Sequence, residues 1–374
     1  MQICLGATYS WAVYVAPLRE SSGLGQAAVQ APFAIFYYVF PLTMAVLASV
    51  PDRIPPRVKA VVGGLLFGGA WVAAGFTAQD FRLTTLCIGV LGGIGAGFAY
   101  LVPVATAVAW FPRHKGLVTG IAIAGFGGGA ALLGWVADRL LDLPGWTPYD
   151  VLRAMGVVFL AIVPLAGLAM RLPPDAVPGA ATARIAARAV LGRGAFWILF
   201  LTFSAGLAAG LAINGNLRQL GASAADAVSL VPLFALSNAA GRILWGAFAD
   251  RVRTASSIAA NLVAWTLLLA VAPMLLGSAA GLKIFAAASG FVYGGVLVVH
   301  PVAVARRWGA AAFMRVYGWL AAAHFLAALA PPLAGRAFDL TGSFAAPLVA
   351  LAVAAALAAV LVWRGRPALE TPAG

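Results

Sequence analysis

Long apolar runs recur along the whole chain, each cut from the next by proline, glycine or charge. About 20 apolar residues cross a hydrocarbon core as a helix. In lipid, every backbone polar group must be satisfied inside the protein, which leaves helices and closed barrels as spanning structures. Set against their punctuation, the runs predict twelve helices, over residues 1–18, 28–50, 60–78, 84–111, 116–138, 151–171, 195–215, 226–249, 257–277, 282–305, 312–335 and 343–363. Composition agrees. Residues of the AVILMFWYC set make up 63% of the chain, only 9% are charged, and mean hydropathy is +0.97. Soluble domains carry about 25% charged residues, so a soluble globule and a disordered chain are both excluded. The expected fold class is an all-α integral membrane protein with 12 transmembrane helices. Eighteen residues barely cross the core at 1.5 Å each. Either helix 1 is short, or the natural start lies upstream of Met1.

Charge gives orientation. There are 24 Lys+Arg against 11 Asp+Glu, a net +13. In a soluble chain this would suggest nucleic acid; here it reads as the cationic excess of cytoplasmic loops. Sixteen cationic residues fall in or beside the loops after even-numbered spans or in the tail, seven in or beside those after odd-numbered ones, and Arg242 alone lies deep within a span. Both termini are therefore expected in the cytoplasm of a cell whose inner membrane holds the chain. The two cysteines, Cys4 and Cys87, lie in apolar runs without C-x-x-C spacing, so no disulfide framework, metal site or cofactor is expected. The opening residues read as a first span, not as a cleaved signal peptide.

The longest loop, residues 172–194, contains Pro173, Pro174 and Pro178 and divides the chain into halves at 1–171 and 195–374. An internal repeat agrees. Gly97-Phe98-Ala99-Tyr100 matches Gly290-Phe291-Val292-Tyr293, and thirteen residues after each tyrosine comes Arg113 or Arg306. Pro51-Asp52-Arg53 echoes Ala249-Asp250-Arg251. Parallel six-helix halves are the mark of one large transporter architecture.

Four stretches carry a closer resemblance. They are Gly6-Ala7-Thr8-Tyr9-Ser10-Trp11 with Pro17-Leu18, Gly95 to Tyr100 with Pro103, Asn238-Ala239-Ala240-Gly241-Arg242 with Gly246 and Asp250-Arg251, and Ala330-Pro331-Pro332-Leu333-Ala334-Gly335 with Asp339 and Thr341-Gly342-Ser343. Together they resemble the major facilitator superfamily, and within it the oxalate/formate antiporter and bacterial monocarboxylate transporter group. The resemblance implies a secondary transporter working by alternating access. In the oxalate-exchanging members a buried lysine of span 11 joins the span 8 arginine in binding a dianion. The matching place here is His324. The glycines of the family's span 2–3 loop are absent from Pro51-Asp52-Arg53-Ile54-Pro55-Pro56.

Arg242 is the strongest single signal. It lies eight residues inward of Asp250, about 12 Å from the helix end. A cation at that depth costs about 3 kcal/mol or more, so it needs water, an anion or an acid. The spans offer no acid for it, and Asp138 lies near the outer end of span 5. A carboxylate substrate fits, because a planar guanidinium pairs it at two points. The bland alternative is an arginine that snorkels to the surface or pairs with a loop acid. Asn238, one turn earlier on the same face, would bind the second carboxylate oxygen or make an ordinary interhelical hydrogen bond. Tyr100 and Tyr293 are repeat-related, and their hydroxyls would face a small carboxylate or simply fill space. Tyr9 and Trp11 are weaker candidates, since aromatics near helix ends often anchor the interface.

His300 and His324 are the other deep ionisable groups, and histidine suits proton transfer near neutral pH. His300 precedes Pro301 and would otherwise bond a carbonyl freed by that proline. A histidine in place of the lysine leaves one permanent positive charge, which suits a monocarboxylate such as lactate. The glycine runs 92–97 and 125–129 lack a following Lys-Ser/Thr and read as helix-packing surfaces, not phosphate loops. No nucleophile, paired-carboxylate or metal constellation appears, so an enzyme is not expected. The expectation is a monomeric lactate-like monocarboxylate carrier, proton-coupled, with carboxylate exchange as the alternative.

Overall fold

The computed structural model describes residues 1–49, 54–174, 186–220 and 224–371, and every regular element among them is helical. The Pro51-Asp52-Arg53 echo and the middle of the 172–194 loop lie outside the described residues. Nine helices among the described residues are long and apolar enough to cross a membrane. One of these, Ala279–Phe338, is two passes joined at Gly309, whose φ 78° and ψ 169° break the helix at a single residue. That conformation is essentially restricted to glycine. With residues 2–22 and Ala224–Arg251 counted beside them, the helical passes among the described residues number twelve. They are α1 (2–22), α2 (Ala31–Ser49), α3 (Pro56–Ala74), α4 (Phe81–Trp110), α5 (Lys115–Leu141), α6 (Pro148–Leu168), α7 (Gly194–Leu220), α8 (Ala224–Arg251), α9 (Thr254–Leu275), α10 (279–308), α11 (310–341) and α12 (Ala345–Arg364). A short α13 (Arg366–Glu370) follows.

Local chemistry sets the ends. Thr147 and Asp150 form a reciprocal capping box at the start of α6, with Pro148 in the first turn. Asp80 and Ser278 cap α4 and α10 through their side chains. Gly342 closes α11 in the left-handed conformation at φ 67°. Val349, Val353, Leu357 and Val360, at helical spacing on α12, are each more than half exposed. A soluble helix would hide that stripe; facing lipid it needs no cover.

The chain forms two compact units, Met1–Trp110 with Gly125–Thr182, and Phe111–Ala124 with Ala183–Gly374. In the first, α1, α3 and α6 share an aromatic core of Tyr14, Phe67, Trp71 and Phe159, with Trp71 edge-on to Phe159 at 5.2 Å. The start of α4 widens into a π-helical turn over Leu86–Leu91 before its glycine run.

In the second unit, α8 and α10 lie backbone to backbone. A Cβ on Gly294 would overlap the Asn238 carbonyl, and one on Gly241 the Phe291 carbonyl. The segment Phe111–Ala124 packs in this second unit. Its Gly116 and Gly120 bring the first turns of α5 against the Gly246 and Arg242 carbonyls. Asp250, at the end of α8, then accepts from the α5 amides of Gly116 (2.7 Å) and Leu117 (2.8 Å).

The sequence repeat has a structural counterpart inside each unit. Gly97 lets α4 approach the Phe40 carbonyl of α2, and Gly290 lets α10 approach the Phe234 carbonyl of α8. Tyr100 then packs on Phe40 at 5.1 Å, and Tyr293 on Phe234 at 6.1 Å.

Candidate functional site

Arg242 sits in the α8 face that packs on α10 and on the first turns of α5, and only 3% of it is exposed. It therefore does not snorkel to the surface. Among the described residues no carboxylate lies within 4.0 Å of it. Its Nη1 donates to the Ile123 carbonyl at 2.5 Å, and its Nε has no partner among the described residues. A neutral carbonyl takes one hydrogen bond and leaves the charge uncompensated. Burial of a cation with an idle donor is what a bound anion would relieve.

Asn238, one turn away and buried, donates from Nδ2 to the Gly290 carbonyl at 3.3 Å. Both residues flank Gly294 of α10. Tyr293, next to that glycine, is buried with its ring laid on Gly210 of α7, where a Cβ would collide with it. Arg242, Asn238 and Tyr293 thus belong to one layer of the second unit, set by three helix backbones.

His300 and His324 meet a common neighbour. The Phe203 ring lies 4.8 Å from His300 and 5.5 Å, edge-on, from His324. His300 is wholly buried, with Nδ1 on the Val296 carbonyl at 3.0 Å and Nε2 on Thr202 Oγ1 at 3.2 Å. Both nitrogens are engaged within the unit, and Nδ1 takes the carbonyl four residues back, in the first turn before Pro301. His324 differs. Its Nδ1 bonds the Ala321 carbonyl at 2.9 Å, its Nε2 has no partner among the described residues, and it keeps some exposure.

In the first unit, Tyr9 and Tyr100 both pack edge-on to Phe126, at 5.3 and 5.2 Å. Tyr9 also meets Tyr37 at 5.0 Å and is half-buried, whereas Tyr100 is buried. Trp11 is pinned by its indole to the Val29 carbonyl at 3.0 Å, deep in the unit.

Several contributors carry no sequence signal of their own. The Ile123 oxygen is backbone. Phe203 and Thr202 are ordinary apolar-helix residues 97 and 98 positions from His300. Gln2 is buried, donates to the Tyr100 carbonyl at 2.9 Å, and leaves its Oε1 without a partner among the described residues. The close α5–α8 approach was missed in the sequence, where Gly116, Gly120 and Ala124 at a spacing of four are the small-residue signal that could have found it.

The chain is 26% identical over 382 residues to the oxalate:formate antiporter of Oxalobacter formigenes, covering 97% of this chain and 89% of that one. It is 27% identical over 336 residues to apicoplast pyruvate carrier 1 of Toxoplasma gondii, covering 71% of this chain and 61% of that one. In fold it matches the transporter FucP in its outward conformation, with a TM-score of 0.74 at 13% identity over 97% of both chains. The family model described as Major Facilitator Superfamily matches residues 1–217, more than half of the sequence. The chain belongs to the major facilitator superfamily and is a multi-pass membrane transporter of that family.

Proposed function

We propose that this transporter carries a small monocarboxylate of the lactate type across the membrane, together with a proton, by alternating access. The observation that carries the reading is Arg242, buried, unpaired by any described carboxylate, and held by one neutral carbonyl. The substrate's carboxylate is its counter-ion. Asn238 and Tyr293 of the same layer supply polar contacts, and Tyr100 and Tyr9 are the first unit's candidates. His324, with a free Nε2, is the proton carrier; His300, with both nitrogens engaged, is the weaker of the two. The names of an oxalate:formate antiporter and a pyruvate carrier among the relatives support a carboxylate cargo. The protein acts as a monomer in the inner membrane, with both termini in the cytoplasm, where its cationic loops lie.

Exchange is the second reading, favoured by the antiporter's coverage of 97% of the chain. The deciding experiment is uptake of radiolabelled L-lactate into proteoliposomes, with and without an inward proton gradient, and with oxalate or formate inside a parallel set. Symport predicts uptake that rises with the gradient and needs no internal anion. Uptake confined to preloaded vesicles would install the exchange reading instead.

A further inference from the structure

Helices α9 and α10 form a hairpin. Residues 276–278 join them at one end. At the other, the start of α9 and the end of α10 have no covalent link, and the last described turn of the chain bridges them. Glu370 Oε1 accepts from the Ala255 amide at 3.0 Å. Ala255 lies in the first turn of α9, whose preceding residue Arg253 makes no side-chain cap. A helix start carries unsatisfied amides and a partial positive charge, so a carboxylate suits it. On the other side, Arg307 is buried and donates to the Ala368 and Thr371 carbonyls. Those carbonyls stand at the C-terminal end of α13, the negative end of a helix. Among the described residues no carboxylate lies within 4.0 Å of Arg307, so the carbonyls carry much of what compensates its buried charge. Leu369, between the two anchors, is buried, and α13 packs on α7 and α9.

Both anchors fall within residues 368–371. A segment that short cannot release one anchor and keep the geometry of the other, and local opening of a folded chain runs in cooperative units of this kind. Two residues past Arg307 comes Gly309, which turns the chain from α10 into α11 at φ 78°. Glycine alone sets no single conformation there. The helix end that leads into the turn is fixed from outside, by the tail on Arg307. We infer that residues 366–371 are a clasp that couples the start of α9 to the α10–α11 turn, so that the two open and close together. The coupling involves no group of the Arg242 layer and holds whatever solute the transporter carries.

Hydrogen exchange of the full-length protein in detergent, read by mass spectrometry over residues 254–258 and 308–312, tests this. Glu370→Ala removes the α9 anchor. It is expected to speed exchange about tenfold at 254–258 and also at 308–312, where Glu370 makes no hydrogen bond. Arg307→Gln removes the other anchor and should speed exchange at 254–258 by a similar factor, besides loosening its own turn. Arg307→Lys keeps a donor and a charge and should fall between that variant and the wild type. Glu370 is exposed, so its variant folds and decides the matter alone should the buried arginine prove indispensable for folding. The clasp is overturned if each variant speeds exchange only at its own end, if neither end changes, or if exchange rises evenly over the whole second unit.

Discussion

Arg242 of α8 donates from Nη1 to the main-chain carbonyl of Ile123 in α5, at 2.5 Å, inside a layer where Gly120 and Gly294 bring three helix backbones together. The contact fixes where the guanidinium points without neutralising it. A carboxylate arriving there would meet an oriented fork with its Nε still free. Orientation settled before the ligand arrives lowers the cost of ordering it on binding.

We expect Arg242→Ala to lose transport while the protein still inserts and purifies. A charge-assisted hydrogen bond contributes about 1.5–3 kcal/mol, so initial uptake should fall at least tenfold. Arg242→Lys should be impaired as well, because an ammonium cannot reproduce the fork. Initial uptake rates in proteoliposomes, normalised to reconstituted protein, check both; robust uptake by the alanine variant would sink the carboxylate assignment.

The two histidines should separate cleanly. His324→Asn removes the free Nε2, and gradient-stimulated uptake should disappear while exchange between equal pH on both sides persists. His300→Asn breaks the Thr202 contact in a wholly buried place, and should lower unfolding stability by about 1–3 kcal/mol. Parallel uptake and thermal unfolding of the two variants decide this. A His300 variant that kept its stability and lost gradient response would reverse the roles.

Much of this was legible in sequence, for physical reasons. Uninterrupted apolar runs mark spans because lipid forbids much else, and one arginine inside such a run stands out. The Gly-Phe-x-Tyr repeat marks equivalent helix contacts, since glycine admits the neighbouring carbonyl and tyrosine packs on the phenylalanine that supplies it. Other features have no residue-type signature. The Ile123 acceptor is a backbone atom, and Phe203 meets its histidines only through the fold. The turn between α10 and α11 was expected to occupy residues 306–311. The helix instead runs on through Arg306 and Arg307, because Arg306 bonds the Ala249 and Val252 carbonyls and Arg307 those of Ala368 and Thr371, and Gly309 turns the chain alone.

Tyr293 is testable from its neighbour. Gly210→Ala would push the tyrosine ring off α7. If Tyr293 contacts substrate, this variant should raise the lactate concentration for half-maximal uptake severalfold, and Tyr293→Phe should do the same. A Gly210 variant that only lowered stability would leave the tyrosine a packing residue.

Asp250 offers a test of stability that is independent of substrate. Its two oxygens each accept an amide from the first turn of α5, and Arg306 Nη2 stands 3.8 Å from Oδ1. The carboxylate thereby caps a helix whose own leading residues, Arg113, His114 and Lys115, include none of the usual N-cap types. Its charge also faces the positive end of the α5 dipole. Asp250→Ala should therefore destabilise the second unit by about 1–2 kcal/mol. Asp250→Asn should recover only part of this, since one of its two terminal groups is a donor facing a donor. Thermal unfolding of the purified variants in one detergent measures the order wild type, asparagine, alanine. An alanine variant as stable as the wild type would show that the amides of Gly116 and Leu117 find water instead, and that the Gly116–Gly246 backbone approach alone holds α5 to α8.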